Sequence, residues 1–374
     1  MSNPKDIRTL IDLTKTTKAL LGHYQSSLAP SKDAVFGSEA SATEIPNPLE
    51  VIKASTTLLK SHTTTLSLLL IIPPLTPSAI IAKIGDVSSG PLSGMVTAAS
   101  YVPRNGQRGD IGNIMRTEVK AQVRRLLGSW GDVLVMILKM AEKKQDAQAN
   151  EAATTKDNGP TESEKQEVLS ATGMVWEACD MLLKLCADGV VGLVVKKAQE
   201  LRAVLLDAIE ELKEWGEDIE DDDDDKAEDS DDEDDIFGAS NKLGKHDKEL
   251  KKLLDASVKK LKMIGMLYQA LIKRRLKTYP ASSTLEPTTT ANVTGSGASK
   301  KLDNLMGILK TIPETVDDIA GAFYDLDEDE AKQTLEKCCA EAKSAIKLVR
   351  QSWTGEDDEF TGWSTKWVSA LEAA

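Results

Sequence analysis

With 41% hydrophobic but only 4% aromatic residues, the 374-residue chain must build its cores mostly from aliphatic side chains. This composition favours helices packed on helices over sheets. Four cysteines are too few for a disulfide framework in a chain of this length, and the most apolar run, from Leu66 to Ile72, is far shorter than the ~20 residues of a membrane span. We therefore expect a soluble protein of a reducing compartment, with neither a disulfide scaffold nor a membrane span.

Apolar residues in the first half of the chain recur with the 3.6-residue period of amphipathic helices. We predict helices over Lys5–Leu28, Asn47–Ile72, Thr76–Val102, Asp110–Lys144, Thr161–Gly189 and Val190–Trp215, with polar connections at Ala29–Ile45 and Gln145–Gly159. Asn47-Pro48-Leu49-Glu50 and Thr161-Glu162-Ser163-Glu164 are typical of capping boxes at helix starts. Pro91 is expected to kink or break the third helix, and Gly128 and Gly131 to bend the fourth.

An acidic tract separates the two halves. Between Glu217 and Asp235 there are fifteen acidic residues and one lysine, so this segment carries the net charge of −14 that the whole chain has. The rest of the chain contains 45 basic and 45 acidic residues. Like charges at this density repel one another and favour an extended segment without a core. The tract is therefore predicted to be a disordered linker.

The helical pattern returns after the tract. A strongly amphipathic helix is predicted over Lys248–Lys277, followed by a linker rich in Thr, Gly and Ser and by shorter helices around Leu302–Ile312, Thr315–Tyr324, Ala331–Trp353 and Phe360–Leu371. No segment has the alternation of a strand. We predict an all-α protein of long up-down bundles: a helical domain at residues 1–216, the acidic linker at 217–243 and a second helical domain at 244–374. Packing of the second domain onto the first is left open.

Motifs for catalysis or cofactor binding are not found. His23, His62 and His246 fall on unrelated segments, and no cysteine and histidine stand at zinc-binding spacing. Gly244-Lys245-His246 lacks the earlier glycine of a Walker motif, and Gly295-Ser296-Gly297 has no strand before it. We expect no enzymatic activity, no cofactor, no metal and no small-molecule substrate.

The acidic tract has two interpretations. It is either a solvated spacer or a mimic of a polyanion that attracts basic proteins through long-range, salt-sensitive forces. Ser230 precedes Asp231-Asp232-Glu233, which resembles the sites of acidophilic Ser/Thr kinases, and is a candidate phosphosite. Its phosphorylation would add about −1.5 to −2 of charge.

The helix Lys248–Lys277 carries ten basic and two acidic residues. Its apolar side is formed by Leu250, Leu254, Leu261, Ile264, Leu267, Tyr268, Leu271 and Ile272. The simplest interpretation is a bundle helix with a solvated basic face. Two alternatives are a helix that inserts into a partner's groove, as calmodulin targets do, and a partner or nuclear-import patch formed by Lys273, Arg274, Arg275 and Lys277.

Short stretches spread over roughly residues 45 to 275 follow a family pattern. They are Thr57-Leu58-Leu59, Leu70-Ile71-Ile72-Pro73-Pro74-Leu75-Thr76-Pro77, Ala98-Ala99-Ser100-Tyr101-Val102-Pro103, Met174-Val175-Trp176-Glu177-Ala178-Cys179, Glu233-Asp234-Asp235-Ile236-Phe237-Gly238 and Lys259-Lys260-Leu261-Lys262-Met263-Ile264. In this order they resemble the cyclin-D-binding proteins of the Grap/cyclin-D interacting type. The resemblance implies an all-helical protein of nucleus and cytoplasm that binds D-type cyclins or helix-loop-helix regulators and restrains cell-cycle progression. That family has no catalytic residues to carry over.

The function predicted from these features is that of a non-enzymatic regulator of the cell cycle or of transcription. It acts through protein–protein contacts in the cytoplasm and nucleus, without direct binding of nucleic acid. The alternative is a vinculin-like helical scaffold that links cytoskeletal or trafficking components. A weaker alternative is an acidic histone-binding chaperone.

Overall fold

A computed structural model describes residues 4–30, 45, 47–103, 110–149, 159–218, 243–244, 247–280 and 292–374. Within these ranges every regular element is a helix and no strand is formed, which confirms the predicted all-α class. The helices belong to two compact units, Met1–Val190 and Val191–Ala374. Residues 219–242, which make up most of the predicted acidic linker, lie outside the described ranges.

The helices of the first unit enclose an aliphatic core. α1 spans Pro4–Ser27, α2 Pro48–Ile71, α3 Pro77–Val87, α4 Ser93–Ser100 and α5 Gly112–Ala149, and α6 begins at Glu162. α1 packs against α3 and α5, and α2 packs against α3 and α4. Fully buried residues in this unit include Leu10, Leu59, Ile84, Val123 and Trp130. Apart from Trp130 they are the aliphatic residues that the composition predicted for the core.

The predicted helix starts are observed at Asn47 and Thr161. Asn47 Oδ1 accepts a hydrogen bond from the backbone N–H of Glu50 at 3.3 Å, which is one half of the predicted box. Thr161 and Glu164 form the complete box, since Glu164 N donates to Thr161 Oγ1 at 3.3 Å and Thr161 N donates to Glu164 Oε2 at 2.7 Å. At Pro91 a π-helical turn over Ser88–Leu92 joins α3 to α4, because proline cannot supply the helical N–H.

The helix is not broken at Gly128 or Gly131, where we predicted a bend, because α5 is continuous from Gly112 to Ala149. The two glycines instead face α1. A Cβ on Gly131 would lie 3.8 Å from Leu21 Cδ1, and one on Gly128 would lie 3.4 Å from Gln25 Nε2. Both distances are ordinary van der Waals contacts, so the two glycines lie where α1 packs on α5 but the packing does not require glycine there.

α6 extends from Glu162 to Glu217 but is interrupted at Gly189, where φ is 62° and ψ is −165°. This break is where the sequence predicted one helix to end and the next to begin. The division of the chain into two compact units also falls here, between Val190 and Val191, whereas we predicted the domain boundary after residue 216. Packing explains the difference, because the part of α6 after the break contacts α7, with Arg202 Nε donating to Gly265 O at 3.1 Å.

Replacement of Gly189 by alanine is expected to lower the free energy of unfolding by about 1–3 kcal/mol, since these dihedral angles lie in a region that is essentially restricted to glycine. Gly173→Ala is a matched control in the helical part of α6, where an added Cβ meets no atom within 4 Å. That change should be neutral or stabilising by up to about 1 kcal/mol. Urea unfolding of both variants checks the prediction, and equal stabilities would contradict it.

The second unit contains residues 191–217 of α6 and four further helices. α7 spans Lys248–Leu271 and continues as a π-helical turn over Ile272–Leu276, α8 spans Asn292–Tyr324, α9 Glu328–Leu348 and α10 Glu359–Ala373. α9 packs against α7 and α8, and α10 packs against α7 and α9. The centroid of the Trp215 ring lies 6.5 Å from that of the Phe323 ring and 5.3 Å from that of the Tyr324 ring. These aromatic contacts hold the end of α6 against α8.

We predicted separate helices before and after Pro313, but α8 passes through this residue without a break. Pro313 has no N–H, so the carbonyl of Leu309, four residues earlier, loses its partner in the helix. The hydroxyl of Tyr268 on α7, which is fully buried, donates to this carbonyl at 2.5 Å. A contact from another helix thus replaces the bond that proline removes, and the helix continues.

Candidate protein-binding surfaces

Ser230, the candidate phosphosite, lies outside the described residues and stays a prediction. The predicted partner or import patch lies on the π-helical turn that ends α7 and just beyond it. Lys273, Arg274 and Lys277 are exposed there, but Arg275 is only 1% exposed. The prediction is therefore corrected at Arg275, which cannot belong to a surface patch. Its burial depends on partners that are distant in the sequence.

Every N–H of the Arg275 guanidinium can be assigned to an acceptor. Nη1 and Nη2 donate to the two carboxylate oxygens of Asp358 at 2.7 and 2.9 Å, and Nη1 also donates to the carbonyl of Arg274 at 2.9 Å. Nε donates to Val349 O at 2.7 Å, and Nη2 donates to Arg350 O at 2.8 Å. The planar group also lies over Phe360, with Cζ 4.4 Å from the ring centroid. Lysine cannot reproduce this forked and stacked geometry.

Asp358 connects Arg275 to the start of α10. Its Oδ1 accepts hydrogen bonds from Phe360 N at 3.0 Å and Thr361 N at 3.1 Å, and Thr361 Oγ1 accepts one from Asp358 N at 3.1 Å. This is a capping box with an aspartate at the cap. The hydrogen bonds from Arg275 are the main reason that the pKa of Asp358 is lowered to about 2. The carboxylate is therefore charged throughout the physiological pH range.

Tryptophans surround this cluster. Trp353 Nε1 donates to Arg275 O at 2.8 Å, and the Trp353 ring stands edge-on to Tyr279 with centroids 5.0 Å apart. Trp367 Nε1 donates to Met263 O at 3.0 Å. The sequence analysis did not single these residues out. A signal was present, since three of the six tryptophans, including Trp363, fall within the last 22 residues.

The apolar side predicted for α7 is entirely buried in the second unit. This holds for all of its residues, namely Leu250, Leu254, Leu261, Ile264, Leu267, Tyr268, Leu271 and Ile272. A helix that inserts into a partner's groove needs such a side to be available. The structure therefore supports the bundle-helix interpretation and not the calmodulin-target alternative.

The cysteines of the described residues are not activated. Burial raises the pKa of the Cys179 thiol to about 12 and that of Cys186 to about 11, and it also raises the pKa of Cys338 and Cys339. Such thiols are protonated at neutral pH and are poor nucleophiles. Over the same described ranges, no group of three or more His, Cys, Asp or Glu residues could hold a metal ion. None of the helices described is long and apolar enough to cross a membrane.

Exposed apolar residues lie on both sides of the line along which α2 contacts α6 in the first unit. The two helices run antiparallel, since Lys60 of α2 pairs with Asp180 of α6 and Pro73, just after α2, packs against Gly159, just before α6. From Lys60, steps of four residues along α2 lead to Leu68, and Ile72 follows as the residue that caps the C-terminus of the helix. From Asp180, a step of four residues back along α6 leads to Trp176, and a further step of seven leads to Leu169. Residues at these spacings share one side of a helix. We call these four apolar residues the α2–α6 ridge.

The ridge side chains are largely open to solvent: Leu68 is 53% exposed, Ile72 59%, Leu169 49% and Trp176 38%. Clustered exposed apolar residues beside polar ones are typical of protein-binding surfaces, and tryptophan is prominent among the residues that dominate binding energy. The sequence analysis missed this surface. The run Leu66–Ile72 held the signal, because it places apolar residues on both sides of α2, with Leu66 and Leu70 buried in the core.

Comparison with known proteins shows that part of this chain is similar to a described family. Residues 50–218 match the model of a family described as Grap2 and cyclin-D-interacting, N-terminal. An uncharacterized protein of Schizosaccharomyces pombe is 24% identical over 329 residues, which cover 88% of this chain and 85% of the relative. The family match includes the whole α2–α6 ridge and ends at the acidic tract. Over residues 50–218, the chain is similar to the Grap2 and cyclin-D-interacting family.

Proposed function

We propose that this protein is a non-enzymatic regulator that binds a D-type cyclin or a helix-loop-helix regulator and restrains cell-cycle progression or transcription in the cytoplasm and nucleus. The observation that carries the proposal is the family match over residues 50–218, because the family's description names interaction with cyclin D. The α2–α6 ridge supports it, since this exposed apolar surface lies wholly within the matched segment.

The ridge is the surface through which we propose that the partner binds. Burial of its leucine, isoleucine and tryptophan side chains supplies the apolar contact, and the neighbouring ion pair of Lys60 and Asp180 forms part of a polar rim. In interfaces of this kind a few large anchors contribute most of the binding energy, with about 2 kcal/mol or more lost when one is truncated. Trp176 is the residue expected to act as such an anchor.

The double variant Leu169→Ser, Trp176→Ala is expected to weaken binding of a purified D-type cyclin by about 10- to 100-fold, because it removes two anchors from the α6 side of the ridge. Titration calorimetry with the full chain measures this effect. Val135→Ser is the matched control, since Val135 is 44% exposed on α5 and lies outside the ridge. If the cyclin binds the ridge variant as tightly as it binds the unmodified chain, the contact lies elsewhere. If the unmodified chain binds no cyclin, a D-type cyclin is not the partner, and the helix-loop-helix regulator is the one that is left.

The scaffold alternative rests on the helical class of the fold, which proteins with many different functions share. Co-sedimentation of the full chain with cytoskeletal filaments would support it. The histone-chaperone alternative rests on the acidic tract, and loss of histone binding on removal of residues 217–235 is its test.

A further inference from the structure

The outer side of α7 presents a row of exposed residues opposite its buried apolar side. Exposed positions recur at Lys259, Lys262, Met266, Gln269 and Lys273, spaced three or four residues apart, and the row continues to Lys277 just beyond the π-helical turn. This spacing keeps them on one side of the helix. We call these six residues the lysine face.

The four lysines of this face differ in their ion pairing from other basic residues of the same segment. Of the residues that the structure describes, none forms an ion pair with Lys259, Lys262, Lys273 or Lys277, whereas Lys252 pairs with Glu249 and Arg274 with Glu359. The carboxylate of Glu210 is close enough to Lys262 for a weak electrostatic effect, but its own hydrogen bond goes to Lys213. Asp255 is the acidic residue exposed one turn before Lys259 on the same side. Over the part of the chain that the structure describes, the face therefore keeps an excess of positive charge.

An apolar side chain stands between the lysines. Met266 is 52% exposed, with Lys259 and Lys262 on one side of it and Lys273 and Lys277 on the other. Lys262 and Lys273 are eleven residues apart, which corresponds to about 16 Å along a helix at 1.5 Å per residue. Methionine adapts its shape readily and is common at surfaces that bind helices. From Lys259 to Lys277 the pattern is thus positive, apolar and positive over about five helical turns.

We propose that the lysine face is a docking surface for an acidic, helix-forming segment of another protein, with carboxylates towards both ends and an apolar residue at its centre. The complementary pattern places carboxylates against the two lysine pairs and the central residue against Met266. The surface lies in the second unit, whereas the α2–α6 ridge lies in the first. The lysine face gives this protein a second interaction site.

A protein segment fits this face better than nucleic acid does. The six residues include no aromatic side chain on which a base can stack and no arginine that can form paired bonds to a guanine or a phosphate. An isolated exposed methionine at the centre contributes to binding only if the ligand brings an apolar group to it.

The test uses the full chain and a synthetic 18-residue helical peptide with glutamates at both ends, a central leucine and a fluorescent label. Anisotropy titrations compare it with the same peptide carrying serine in place of that leucine, and with a labelled 20-nucleotide single-stranded DNA. The double variant Lys262→Glu, Lys273→Glu removes the charge pattern. Lys301→Glu, Lys332→Glu makes the same change in net charge at exposed lysines of α8 and α9.

The expected result is a loss of peptide affinity of tenfold or more for the lysine-face variant and of less than threefold for the control. Met266→Ser should weaken binding of the leucine peptide several-fold and leave the serine peptide unaffected. Equal losses of peptide affinity for the two charge variants would show that the change in net charge alone weakens binding, and they would overturn the proposal. Tighter binding of the DNA than of the peptide, with no effect of Met266→Ser, would overturn it in favour of a general polyanion surface, and no peptide binding at all would also overturn it.

Discussion

Replacement of Asp358 by alanine is expected to destabilise the second unit by about 3–5 kcal/mol, because it leaves the buried charge of Arg275 without its counter-ion. The same change removes the N-cap of α10, where Asp358 accepts hydrogen bonds from Phe360 N and Thr361 N. Urea unfolding of the full chain, followed by tryptophan fluorescence, measures the effect. The signal is informative because Trp353, Trp363 and Trp367 lie near this cluster.

Two further variants separate the buried charge from the cap. Asp358→Asn keeps an oxygen that can accept the cap hydrogen bonds but removes the charge. Asp358→Asn should therefore still show most of the destabilisation that is expected for Asp358→Ala. Arg274→Ala removes an exposed arginine that pairs with Glu359, and it should change the free energy of unfolding by no more than about 0.5 kcal/mol. A similar loss for Arg274→Ala and Asp358→Asn would show that burial of Arg275 is not the cause.

The pH dependence of stability follows from the same pair. The pKa of Asp358 is lowered from 3.8 to about 2 in the folded chain, so the folded state binds this proton less readily than the unfolded state does. The contribution of the pair is then fully present above pH 3.8 and is lost as the pH falls towards 2. Asp358→Asn should therefore flatten the fall of the urea midpoint in this pH window.

Tyr268→Phe is expected to lower the stability of the second unit by about 1–3 kcal/mol, because the carbonyl of Leu309 is then buried without a donor. The cause can be isolated by restoring the missing N–H. In a Pro313→Ala background, residue 313 can donate to Leu309 O within the helix, so the same tyrosine change should cost about 1 kcal/mol less. A double-mutant cycle in urea measures the coupling between the two positions.

Tyr24→Phe is the control for this cycle. Over the residues that the structure describes, the Tyr24 hydroxyl makes no hydrogen bond, so its removal should alter stability by no more than about 0.5 kcal/mol. If Tyr268→Phe costs the same with proline as with alanine at position 313, the hydroxyl does not compensate for the proline. The continuity of α8 would then need another explanation.

The candidate surfaces were only partly predictable. The basic character of α7 is visible in the sequence, and three of the four predicted patch residues, Lys273, Arg274 and Lys277, are exposed as a patch requires. Exposure of Met266 could not be predicted, because a methionine in an amphipathic helix is more often part of the core. The α2–α6 ridge depends on which sides of two helices face each other. The hydrophobic periodicity of a sequence identifies the apolar side of each helix, but it does not show which other helix packs against that side.

Local chemistry determined much of the fold. The aliphatic composition and helical period led to the all-α class, the capping residues to the starts of α2 and α6, and Gly189 to the break in α6. Each of these signals acts within a few residues, where side chains and backbone meet in any conformation close to a helix. The concentration of net charge between Glu217 and Asp235 is likewise a property of the sequence.

Tertiary structure decided the features that depend on distant partners. Arg275 can be buried because its guanidinium donates hydrogen bonds to Asp358, 83 residues later in the sequence. Helix α8 continues through Pro313 because the Tyr268 hydroxyl donates a hydrogen bond to the carbonyl of Leu309, 41 residues away. The division into compact units falls at the break in α6, and residues after the break pack on α7. A buried charge or a helical proline is unfavourable by itself, and only a partner from another helix makes it stable.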